Sequence, residues 1–83
     1  MPRYFFDTYD GSRFVPDSEG IELESLDAAK AEAQRALPDL ARDAIPSNDQ
    51  NTFIVSVRDE AGQVVLRVAL TLIIEIVPAS QPA

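Results

Sequence analysis

The chain contains no cysteine, no histidine and no tryptophan. Without the first two there is no thiol nucleophile, no imidazole base, no disulfide framework and no zinc site built from the usual ligands. The chemistry left is that of carboxylates, hydroxyls, one lysine amine and guanidinium groups. Positive charge is also scarce, with 7 Lys and Arg against 14 Asp and Glu and a net charge of -7 over 83 residues. Such an excess repels phosphate backbones and anionic lipid, so neither nucleic acid nor a membrane surface is an expected partner. The longest apolar run, residues 64–77, is broken by Arg67 and Glu75 and is shorter than the roughly 20 residues a spanning helix requires. Aromatic and acidic residues follow Arg3 where a leader peptide would carry an apolar core, so a cytoplasmic location is expected.

What is present is enough for one core. Hydrophobic residues make up 46% and charged residues 25% of the chain, the balance of a folded domain rather than a disordered one. Residues 1–78 are expected to form that single domain, followed by a disordered tail at 79–83. Each glycine falls within a turn signal. Asp10-Gly11 suits a two-residue type I′ link between strands at residues 3–8 and 13–15. Residues 16–20 form a second turn, after which Ile21-Glu22-Leu23 alternates as a short extended segment. Residues 59–63 join two β-branched runs, 52–59 and 64–76, as a longer hairpin.

One helix lies between the hairpins. Ser25 is its expected N-cap, and Leu26, Ala29, Ala33, Ala36, Leu37, Leu40 and Ala44 recur at spacings of three and four as one apolar stripe. Arg35 and Asp39 stand at the i,i+4 spacing of a helical ion pair. Pro38 predicts a kink or a break, and Pro46 with the polar run behind it ends the segment. The fold class that follows is α+β: an antiparallel sheet in ββαββ order with one helix packed on one face.

That architecture leaves apolar surface over. One helix covers one sheet face, yet Phe5, Tyr9 and Ile73 fall on the opposite face from the core-directed side chains. Residues 64–76, as one strand, would span roughly 43 Å at about 3.3 Å per residue, against roughly 24 Å for twice the radius of gyration expected at this length. The strand therefore bends or overhangs, and its distal part, including Leu70, Leu72, Ile73 and Ile74, lacks partners. A homodimer is expected, by edge pairing, by strand exchange or by packing of the outer face. The competing expectation is a bulge that splits the strand so that both halves are satisfied internally.

Chemistry-bearing groups are few. Asp17, Glu19, Glu22, Glu24 and Asp27 form an acidic run, and Asp7 and Asp10 precede it, so a small ligand or divalent cation held by Asp7, Asp10, Asp17, Glu19 and Glu22 is the alternative function. The spacing is not that of a calcium-binding helical hand, and a solvated turn with Glu24 and Asp27 favouring the helix start explains the same residues. Asp7 is expected to face solvent or to meet Arg13 or Arg67 across the sheet. No base stands ready to activate a serine, and no cleft is implied for a raised carboxyl pKa, so no enzyme activity and no cofactor are expected. Arg3, Tyr4, Phe5 and Phe6 combine a cation with stackable rings, but residues 1–29 carry two basic and seven acidic groups, a local charge of -5, the wrong sign for a nucleic-acid groove.

The opening MPRYFF, the turn at Asp10-Gly11, the stretch PDSEGIEL from Pro16, the helix start LDAAKAEA and the later VSVRDEAGQVV together resemble a family of short bacterial proteins known as a domain of unknown function, whose members often begin MPRYFFH. The resemblance reaches to about Val68. It implies a stand-alone soluble domain with no assigned activity, cofactor or catalytic residue. This chain has Asp7 where a histidine is common, carries Pro38 in its helix, and has an apolar tail at 70–77 that outruns the family pattern.

Overall fold

A computed structural model describes residues 1–44 and 50–79, and within them the chain is an α+β domain. Strands β1 (Arg3–Tyr9), β2 (Phe14–Val15) and β3 (Ile21–Glu22) precede helix α1 (Leu26–Ala44), and β4 (Gln50–Arg58) and β5 (Val64–Ile73) follow it. The sheet is antiparallel with strand order β2-β1-β4-β5, and β3 joins β1 beyond the end of β2. The expected α+β class is thus found, and the ββαββ order is roughly matched, the short extended segment at Ile21–Glu22 adding a third strand before the helix. The stop at Pro46, the tail at 80–83 and the side chain of Ala44 lie outside the described residues.

Helix α1 lies on the face that carries Phe53, Val55 and Val57, all with no exposed surface. Ala29 and Ala33 are equally buried, and Tyr4, Phe6, Leu37, Leu40, Leu66 and Val68 pack around them. Alanine at the contact lets the helix axis approach the sheet, and each large side chain so buried stabilises the fold by about 1.5–3 kcal/mol. Leu26, expected in this stripe and the first residue of the helix, is instead 45% exposed. Ser25 caps the helix as predicted, its hydroxyl accepting from the Ala28 amide at 3.1 Å. The helix runs without a break through Pro38; the ring is exposed, and only the bond that a Pro38 amide would have made is forfeited. Arg35 pairs with Glu32 rather than Asp39, and Asp39 pairs with Arg42 at 3.1 Å.

In the first hairpin Asp10 N–H donates to the Arg13 carbonyl, leaving Gly11 and Ser12 as the link. Only Gly11 has positive φ, so the type I′ expectation, which needs two such residues, is not met. In the second, the Asp59 carboxylate accepts from the Ala61 and Gln63 amides. The strand that leaves it carries a register shift at Val57/Arg58, where Arg58 faces Val64 and Val57 faces Leu66. Val65 is the extra residue of a β-bulge. It does not split the strand in two. β5 ends at Ile73, three residues short of the expected limit, opposite Gln50, the first residue of β4.

Backbone polarity follows from the register. The Phe6 amide points away from β4, since it donates to the Asp17 side chain, and antiparallel pairing alternates this direction residue by residue. The Val57 amide, opposite Phe6, therefore points to β5, and the amides of Arg67, Ala69, Thr71 and Ile73 point to the far edge. No described residue pairs with that edge.

Candidate functional site

The expected site residues divide between two regions. Asp7 and Asp17 meet on the outer face over β1, while Leu70, Leu72, Ile73 and Ile74 lie together at the free end of β5.

The first region closes a gap. β2 covers the outer edge of β1 at Thr8 and Tyr9, and β3 covers it at Arg3 and Tyr4, which leaves the Phe6 amide between them without a strand partner. Residues 16–20 loop across this gap, and the Asp17 carboxylate accepts from Phe6 at 3.1 Å, Glu19 at 3.0 Å and Gly20 at 3.2 Å. Its own amide donates to Asp7 at 2.8 Å. Asp7 is 5% exposed and accepts a two-point bond from Arg58, at 2.6 Å from Nε and 3.2 Å from Nη2. The same Nη2 reaches the Asp17 carbonyl at 2.9 Å, and the guanidinium carbon stands 5.0 Å from the centre of the Phe5 ring, a cation–π distance.

Asp7 is thus neither at the solvent nor paired with Arg13 or Arg67, as the sequence suggested. Burial alone would push its carboxyl up, but the Arg58 bonds and the Asp17 amide hold it below its ordinary value. Asp17 behaves alike: burial opposes, and the amides of Phe6, Glu19 and Gly20 prevail. Every oxygen of these two carboxylates has a donor, so both are tied into the loop and its contact with Arg58. Asp10 sits apart in the first hairpin, accepting from the Arg13 and Ser12 amides, which lower its pKa. Glu19 is exposed, and Glu22 lies 3.7 Å from Arg3. No group of three acidic side chains poised for a metal ion occurs among the described residues.

The second region is apolar. Leu70, Ile73, Ile74, Ile76 and Val77 are 42%, 63%, 51%, 95% and 56% exposed, and Leu72 is half-buried. Beside it is an open cavity of about 350 Å³ between Tyr9, Gly11 and Asn51 on one side and Thr71 and Ile73 on the other. It holds no charged side chain. Tyr9, expected at an interface, is half-buried here with its hydroxyl donating to the Gly11 carbonyl at 2.9 Å. Phe5 is half-buried beneath Arg58.

Arg58 is the structural residue that sequence reasoning missed. Its signal was present as the sole cation in the β-branched run that became β4. No helix among the described residues is long and apolar enough to cross a membrane. No curated protein and no solved structure matches the chain. Residues 3–71, from the first strand into the last, match the family described as a domain of unknown function (DUF6894), and the chain belongs to that family.

Proposed function

We propose that this chain is a non-catalytic interaction module that self-associates through β5 into a homodimer, the two sheets joining edge to edge. The observation that carries this reading is the far edge of β5: a ten-residue strand whose outward amides and carbonyls have no partner among the described residues, bordered by exposed Leu70, Ile73 and Ile74. An edge of that length with one charged side chain is a template for another strand, and small domains gain core by association. Of the three routes to a dimer, edge pairing has the most support. Phe5 is covered by Arg58 and Tyr9 is bonded to Gly11, which leaves Ile73 as the remaining large side chain of the expected outer-face patch. The ladder between β4 and β5 is already filled within one chain from Gln50 to Arg58, which removes the incentive for exchange. A non-catalytic role belongs to the same reading, supported by the commitment of Asp7 and Asp17 to amide and guanidinium donors.

Sedimentation of the wild type and of Thr71→Pro tests it. The Thr71 amide points to the free edge, so proline there takes no donor from the β4 ladder. The wild type is expected to reach dimer mass by high micromolar concentration. The variant should remain a monomer with a cooperative melt. A wild type that stays monomeric throughout, or a folded Thr71→Pro that dimerises as well as the wild type, overturns the proposal.

A further inference from the structure

Self-pairing of β5 leaves the register open, and the charges close it. We infer, resting on the self-association just proposed, that the partner strand is a second copy of β5 lying antiparallel with Thr71 on the two-fold axis, so that Arg67 of each copy meets the partner's Glu75.

A two-fold axis normal to the sheet keeps the helix-covered face of both copies on one side. Residues directly opposite must then belong to the same face, which restricts the axis to pass through a residue rather than between two. Within residues 64–77 there is one cation, Arg67, and one anion, Glu75, each four positions from Thr71. With Thr71 on the axis they face each other twice, once at each end of the new ladder. Moving the axis to Leu70 sets Arg67 against Ile73 and Glu75 against Val65. Moving it to Leu72 sets Arg67 against Val77 and Glu75 against Ala69. Either shift places a charge opposite an apolar side chain and leaves it unpaired.

The same register matches the remaining side chains and the backbone. On the helix side Leu70 meets Leu72, Val68 meets Ile74 and Leu66 meets Ile76, which gives the 42%, 51% and 95% exposed Leu70, Ile74 and Ile76 apolar neighbours. On the outer side Ala69 meets Ile73. The amides of Arg67, Ala69, Thr71 and Ile73, which point to the free edge, all fall in hydrogen-bonded pairs. Residues 74–75 continue the strand in the dimer; among the described residues they have no strand pairing.

A chain without cysteine permits a direct test. In a hydrogen-bonded antiparallel pair the two Cα atoms are about 5.5 Å apart, inside the disulfide range of about 4.4–6.8 Å. Thr71→Cys should therefore cross-link under mild oxidation. Ala69→Cys or Ile73→Cys alone should not, since each would lie about 14 Å from its own copy, whereas mixing those two proteins should give the mixed dimer. Arg67→Glu should weaken the dimer about tenfold by setting like charges opposite at both ends, and adding Glu75→Arg should restore it. A dimer blocked by Thr71→Pro that cross-links through Ala69→Cys or Ile73→Cys alone, or that the double reversal fails to rescue, overturns the register while leaving self-association intact. Absence of any dimer in the wild type overturns both.

Discussion

Asp7 and Asp17 are expected to govern the acid limb of stability. The folded pKa of Asp7 lies below the ordinary 3.8, as does that of Asp17. For a depressed carboxylate the stabilisation is full above the unfolded pKa and is lost as pH falls through the folded one. Stability contributed by these two groups should thus be flat near neutrality and decline below about pH 4. Asp7→Asn should cost about 2–3 kcal/mol at neutral pH, below the range for a fully buried pair because Arg58 keeps some solvent. It should also shallow the acid limb; urea titrations across pH measure both effects, and equal acid limbs in the two proteins would count against the assignment. Asp7 was legible as an unusual residue in an aromatic strand, but its partner was not. Arg67 shares its cross-strand line, Asp7 to Ser56 to Arg67, yet Ser56 and a whole strand stand between. Arg58, two residues along the adjacent strand, reaches it on the diagonal, a distance that sequence spacing cannot express.

At the scale of elements, turn chemistry carried most of the legible information. Asp10-Gly11 and Asp59 to Gln63 marked both hairpins, and the three-and-four spacing of alanines marked the helix. Two boundaries were hidden for physical reasons. β5 stays hydrophobic past Ile73, and side-chain pattern alone does not mark where its ladder with β4 stops. Pro38 reads as a breaker, but Leu37 and Leu40, half-buried either side of it, hold the helix against the sheet while the ring faces solvent. Pro38→Ala should therefore stabilise the protein by about 1–2 kcal/mol, the restored amide bond outweighing the greater freedom of the unfolded chain. A thermal melt raised by several degrees would show it; an unchanged melt would mean that the helix compensates elsewhere for the missing amide.

Over the described residues the molecule is long, 58 × 23 × 19 Å, with a radius of gyration of 15.9 Å where about 12 Å is usual for this length. Its acidic N-terminal end and its apolar last strand, with one arginine and one glutamate nearby, were both visible in the sequence, as were the surplus of apolar surface and the lack of partners for the distal part of that strand; how the opposite edge would be closed was not, because that depends on strand order. The two edges differ. On one side β2, Asp17 and β3 together seal β1, and the two sealing strands are only two residues each, too short to template another chain. In polymer terms the proposed self-association gives the folded chain a functionality of one, and association is then expected to stop at two. Removing the Asp17 carboxylate frees the Phe6 amide and releases the loop, which gives the molecule two reactive ends. Asp17→Ala at neutral pH is expected to turn a finite dimer into growing filaments, seen as rising light scattering with a cross-β dye signal, and acidified wild type should do the same. If Asp17→Ala remains a dimer, β2 and β3 seal the edge unaided. If the dimer forms as proposed, a single aspartate side chain separates a step-terminated assembly from an open-ended one.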